Sequence, residues 1–171
     1  PVTDVESVVS AVSKHMADAC ISLRRQKSVA CEVCVFFHTS FFRDDLPQHS
    51  AAPVIQLPTG SSDTLLLTRV AVNLVRRFYR KGFAYQKAGI TLSGMRPEAE
   101  DAFPMSLFDF GPDPQEKRRR ALMTTLDGLT RIYGRGVVST GSAALATGWE
   151  ARHEKLSQRW LTSGSDILRV H

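Results

Sequence analysis

Twelve residues, Ser28 to Thr39 (SVACEVCVFFHT), form a run so rich in β-branched and aromatic side chains that it restricts the fold more than any other feature. Such a run reads as a buried strand, which needs paired edges and a covered face. The cover is legible on both sides of it. Before it, Val5, Val8, Val9, Val12, Met16, Ala19, Cys20 and Leu23 recur at helical spacing behind a Thr3/Glu6 capping box, and this helix ends near LRRQK. After it, Asp63 can cap a second helix with the stripe Leu67, Val70, Ala71, Leu74, Val75 and Phe78, ended by Gly82. Its other side carries Arg69, Asn73, Arg76, Arg77 and Arg80, which read as a solvated face. Ala51 to Leu57 reads as a second strand stopped by Pro58, and residues 83–95 as a third.

The order is α-β-β-α-β over residues 1–95: an α+β, helix-backed sheet, a split βαβ arrangement short of its opening strand. Right-handed crossovers would put the absent strand in the middle of the sheet, between the strands flanking the second helix. The gap is expected to be filled by GVVST (residues 136–140) or by a neighbouring molecule, which would make a dimer. The chain opens on Pro1 and is read as part of a longer protein.

Residues 96–112 are rich in Pro and acids and read as a linker. Asp113 and Pro114 open a helix with Leu122, Leu126, Leu129 and Tyr133 inward, ended by Gly134, and a polar tail carries Trp149 and Trp160. Three regions are therefore expected: 1–95, 96–112 and 113–171.

The balance of 22 basic to 17 acidic residues, net +5, favours a polyanionic partner. No apolar run is long enough to span a bilayer, no signal peptide is visible, and three cysteines form no paired framework, so the cytoplasm is the expected compartment. Cys31 and Cys34 lie three apart on a strand and face opposite sides, so they are read as structural and no metal site is expected.

KGFAY (Lys81 to Tyr85) begins like the signature strand of an RNA-recognition motif, whose aromatics stack bases. The context disagrees. A helix precedes this strand, an acidic segment follows it, and Gln86 and Ala88 stand where an aliphatic and an aromatic residue belong. What remains is Gln86 and Lys87 beside Gly89, a glycine read as marking close approach by another backbone. Such a Lys and Gln can bond phosphate oxygens without reading sequence.

Four strings in order, SVACEVCVFFHTSFFRDDLPQHS, FAYQKAGITL, IYGRGVVSTGS and LSQRWLTSGSDILRV, resemble the C-terminal part of the UmuC-type Y-family translesion DNA polymerases, the polymerase V catalytic subunits. The resemblance implies a little finger domain over residues 1–95 that holds primer-template DNA by its backbone, followed by a C-terminal extension. It places Tyr85, Gln86, Lys87 and Thr91 on the DNA-gripping last strand, and His38, Thr39 and Ser50 at the ends of the middle hairpin. For His38 and Thr39 a strand-end hydrogen-bonding role is the alternative. PMSLF (Pro104 to Phe108) is similar to the peptide by which bacterial polymerases hold the sliding clamp, with Met105, Ser106, Leu107 and Phe108 as contacts and Pro104 in place of the usual Gln. In the tail, Trp149, Arg152, Leu156, Ser157 and Thr162 keep the family pattern and could dock an accessory subunit or a recombinase filament. Gln158, Trp160, Leu161 and Ser163 depart from it, and the alternative is that the two Trp close a small core.

No active site is expected here. Asp44 and Asp45 form a carboxylate doublet with no third partner, read as loop capping, and the resemblance puts the Mg²⁺-binding palm upstream of Pro1. A protein-interaction module and a free-standing RNA-binding domain are the rival readings.

Overall fold

The computed structural model describes residues 1–43, 45–101, 114–146 and 148–149. Helix α1 (Val5–Arg25) is capped by Asp4, whose carboxylate accepts the Ser7 amide at 2.7 Å. The Thr3/Glu6 box does not form. The shorter Asp4 takes the cap, and Glu6 turns to Arg76 at 3.5 Å. Val8, Val9, Val12, Met16, Cys20 and Leu23 are buried against the sheet, as the helical spacing predicts.

Strand β1 (Ser28–Thr39) is the centre of the sheet. On one edge it pairs antiparallel with β2 (Ser50–Ala51) and β3 (Val54–Ser61). On the other it pairs with β4 (Tyr85–Ser93) and β5 (Arg96–Pro97), which leads into the short helix α3 (Glu98–Asp101). β3 runs on past Pro58 because the ladder is irregular between the pairs Gln56–Glu32 and Ser61–Ala30, where a missing N–H costs no rung. Helix α2 (Thr64–Phe78) joins β3 to β4, with the Asp63 carboxylate accepting the Leu65 and Leu66 amides at 2.8 and 3.3 Å. It stops at a Tyr79 cap before Gly82, which sits in the following turn at φ +95°. Phe78 stays 42% exposed at the helix end, while Leu67, Ala71, Leu74 and Val75 enter the core.

The split βαβ unit is present, but its middle strand is β1. Both β3 and β4 run antiparallel to β1, so α2 crosses over β1, and β4 pairs with β1 continuously from Glu32–Ser93 to Phe37–Ala88 and on to Thr39–Tyr85. The expected central gap is therefore absent. At the outer side of β4, the Val2 amide donates to the Tyr85 carbonyl at 2.7 Å and the Tyr85 amide to the Val2 carbonyl at 2.8 Å. Residues 136–140 form turn and bend instead of a strand, so the expected strand filling and the dimer built on it lose their structural reason.

Helix α4 (Pro114–Tyr133) keeps the expected inward stripe only in part: among its described side chains Met123 is buried, Leu126 and Leu129 are half-buried, and Leu122 and Tyr133 are exposed. An ion pair helps set the docked face: Arg24 Nε and Nη2 donate to Asp127 Oδ2 and Oδ1, both at 2.7 Å. The Arg24 Nη1 atom also donates to the Ser62 carbonyl at 2.6 Å and to Thr64 Oγ1 at 2.9 Å, tying α1, the start of α2 and α4 at one point. Beyond α4, a 3-10 turn (Gly141–Ala144) settles on α1, where Ser10 Oγ lies 2.6 Å from the Ala143 carbonyl. Trp149 Nε1 donates to the Ala146 carbonyl at 3.0 Å, and Lys14 Nζ lies 5.5 Å above its ring, so the half-buried Trp149 lies against α1. Trp160, the other tail positions from Arg152 to Ser163, Asp44, and the PMSLF peptide lie outside the described residues.

Candidate nucleic-acid interface

The alternation of a strand divides β1 between two faces. Val33, Val35, Phe37 and Thr39 point to the helices and are buried. Glu32, Cys34, Phe36 and His38 therefore point the other way, and register decides their neighbours. His38 lies between Ser50 and Lys87, Cys34 between Val54 and Thr91, and Glu32 between Gln56 and Ser93. Between His38 and Thr39 the ladder skips one residue of β4, so Gln86 is a bulge beside Lys87. Gln86, Lys87, Thr91 and Ser50 are exposed and His38 is half-buried. Five of the seven residues expected to grip DNA thus share one face of the sheet, away from α1 and α2.

Tyr85 and Thr39 do not join them. The same bulge turns Tyr85 inward, where it is 1% exposed and packs edge-on to Phe37 at 5.2 Å between ring centroids. Its hydroxyl lies 2.8 Å from His49 Nδ1 and accepts the Arg80 amide at 3.2 Å. Thr39 is 2% exposed; its hydroxyl donates to Gln48 Oε1 at 2.7 Å and accepts the His49 amide at 3.1 Å. Both side chains hold the loop between β1 and β2 in place and neither is exposed on the open face, and Thr39 makes hydrogen bonds at the strand end. Phe83 likewise packs on His49, 5.1 Å between ring centroids, so the aromatics of KGFAY belong to the core.

Gly89 has a cause other than a close backbone. A Cβ there would lie 2.5 Å from Cζ of Phe36, the residue opposite on β1. The bare glycine lets the Phe36 ring lie across β4 on the open face.

His38 Nδ1 donates to the Thr39 carbonyl at 2.8 Å, leaving Nε2 as its remaining polar atom. Its ring stacks on Phe41 at 4.5 Å and 23° between planes. Phe41 and Phe42 are 63% and 95% exposed, and with His38, Ser40, Gln86 and Lys87 they line a concavity of about 340 Å³. Sequence reasoning passed over this pair, although two adjacent aromatics inside the polar stretch FFRDDLPQHS were a visible signal. On the far side of the same loop, burial first and Arg80 second hold the His49 pKa below its usual 6.5.

Residues 1–105 match the impB/mucB/samB family C-terminal domain. The chain belongs to this family. Residues 120–170 match a second unit described as a domain of unknown function (DUF4113). The chain is 29% identical over 169 residues to Protein UmuC of Salmonella typhimurium strain LT2, covering 99% of this chain and 39% of that protein. It is 30% identical over 166 residues to Protein ImpB of Salmonella typhimurium, covering 97% and 38%, and 23% identical over 165 residues to Protein MucB, covering 96% and 37%. The chain thus spans about two fifths of the length of the curated relatives it matches. No solved structure matches. The impB/mucB/samB assignment and the α+β sheet agree with the resemblance to the C-terminal part of a UmuC-type Y-family polymerase. In family terms, the open face and the Phe41–Phe42 loop both belong to the C-terminal domain, not to the second unit.

Proposed function

We propose that this chain is the DNA-gripping and clamp-tethering part of an error-prone translesion DNA polymerase that acts in the SOS response to DNA damage. The observation that carries the reading is the open face of the sheet, where Gln86 and Lys87 stand exposed with His38, Ser50 and Thr91. Amide, ammonium and hydroxyl groups on a pleated surface suit phosphate oxygens, and contacts of that kind position a duplex without carrying sequence information. The surface therefore lies along primer-template backbone without sequence preference and raises residence on the primer end. Chemistry, with its Mg²⁺ ions, belongs to another part of the parent protein.

Met105, Ser106, Leu107 and Phe108 hold the sliding clamp through the two adjacent apolar plugs, and Pro104 in place of Gln weakens that hold by about tenfold, one hydrogen bond's worth. The regions 1–95, 96–112 and 113–171 serve as DNA grip, tether and extension, with the extension docking an accessory subunit or recombinase filament. The protein works in the bacterial cytoplasm, on the nucleoid; among the described residues no helix is long and apolar enough to cross a membrane.

Fluorescence anisotropy on a labelled primer-template tests the grip. The pair Gln86→Ala plus Lys87→Ala should weaken binding about tenfold or more on two unrelated sequences alike. Wild-type affinity in that variant rejects the reading and favours a protein-docking sheet, for which exposed Val54 would be the anchor. For the tether, Leu107→Ala plus Phe108→Ala should abolish binding to purified clamp, and an unchanged affinity rejects it.

A further inference from the structure

We propose that the Phe41–Phe42 loop is a stacking site for an unpaired nucleobase, so that the chain recognises the single-stranded side of a primer-template junction as well as its duplex. The proposal extends the DNA-gripping reading and rests on the same face, but on different side chains.

Phe42 is 95% exposed and Phe41 63%, at the end of the sheet that carries Lys87. Exposed aromatics are adjacent here and share one concavity with Gln86, Lys87, Ser40 and His38. The His38 and Phe41 rings already stack in nearly parallel planes, 4.5 Å apart, which builds a flat platform. An occupant that fits must offer a planar apolar face to Phe42 and the Phe41 ring and a negative charge within reach of Lys87. A nucleotide in a single strand offers both: its base has a π-face whatever its identity, and its phosphate follows at backbone spacing. A base pair inside the duplex offers no such face, because both of its sides are covered by stacked neighbours. Gln86, raised on the bulge, supplies an amide for sugar or phosphate oxygens at the same point. The loop itself is braced below: Arg43 donates twice to Asp45, at 2.7 and 2.6 Å, and Gln48 Nε2 donates to the Arg43 carbonyl at 2.7 Å. Phe41 and Phe42 are thus held out on a structured turn.

The test compares four labelled probes with the full chain: a blunt duplex, the same duplex with a 5′ single-stranded overhang, a normal single strand, and the same strand with its bases replaced by abasic sites. Wild type should prefer the overhang duplex to the blunt one by about five- to a hundredfold, the range of one stacked base. Phe42→Ala should remove that preference and leave blunt-duplex affinity unchanged, while Phe42→Trp keeps it. A 2-aminopurine in the overhang should be quenched by wild type and not by Phe42→Ala. Equal overhang preference in wild type and Phe42→Ala overturns the proposal, as does binding of the abasic strand as tightly as a normal one. The two readings fail separately: loss of blunt-duplex binding in wild type, with base-dependent capture of the normal strand intact, sinks the duplex grip and leaves the stacking site standing.

Discussion

At the level of single residues, Gly89 and His49 make the sharpest claims. A methyl group at Gly89 would meet the tip of the Phe36 ring at 2.5 Å, and next Cε1 at 2.9 Å. The ring must swing off the sheet, so Gly89→Ala should cost about 1–2 kcal/mol, overpacking offset in part by the lower entropy of an unfolded alanine. In a Phe36→Ala background the same change should cost nothing or stabilise, and urea unfolding of the four proteins in the cycle measures the difference. A cost that survives the loss of Phe36 would mean that backbone, not the ring, forbids the side chain. His49 is set for a pH effect. Its folded pKa lies below the unfolded value of 6.5, so the unfolded chain binds the proton more readily. Stability is then complete above pH 6.5 and declines as pH falls through 6.5 towards the lower folded value. His49→Gln keeps a partner for the Tyr85 hydroxyl and cannot titrate. Its urea midpoint should change less between pH 8 and pH 5.5 than that of wild type, and an identical decline would place the titrating group elsewhere.

At the level of elements, the Arg24–Asp127 pair helps set how α4 sits. The two side chains are 13% and 32% exposed, so the pair is only partly screened. Asp127→Ala leaves two Arg24 donors without their carboxylate, at a cost of about 1–3 kcal/mol, and should raise hydrogen exchange across α4 while α2 and the sheet stay protected. Protection of α4 unchanged by the substitution would show that its other contacts, among them Met123 and the Arg119–Asp63 ion pair, hold it without Arg24. This pair also explains what the sequence could and could not disclose. α1, α2, β1 and β4 were legible because burial is periodic in them, and the Asp63 cap was legible from its place before the stripe. The docking face of α4 was not, since it depends in part on the pairing of Asp127 with the half-buried Arg24, 103 residues earlier. The inward side chain of Tyr85 was not legible either. The resemblance set Tyr85 with Lys87 on the DNA-gripping strand, whereas the bulge at Gln86 that turns it inward depends on the pairing with β1 and leaves no mark in the local sequence.

At the level of the whole molecule, the question is whether α2 or the open face of the sheet meets a polyanion. The net charge of +5 does not choose. α2 carries exposed Arg69, Arg76 and Arg77, while the open face of the sheet carries Lys87 among neutral polar groups and one acid, Glu32, which accepts the Ser93 hydroxyl at 2.6 Å. By count of charge the helical side should win at long range. Shape argues the reverse, since α2 is convex and its Arg76 is already shared with Glu6, whereas the open face is broad and ends in a concavity beside Lys87. Counterion release separates the two, because the slope of log K against log salt counts the phosphates neutralised at the contact, at about 0.9 per phosphate. Lys87→Ala should flatten that slope by about one unit on duplex DNA. Arg69→Gln plus Arg76→Gln removes twice the charge and should leave the slope nearly unchanged, its small effect on affinity fading as rising salt screens distant charges. If the arginine pair takes two units from the slope and Lys87 takes none, DNA lies on the helices, and the polar face of the sheet is left for a protein.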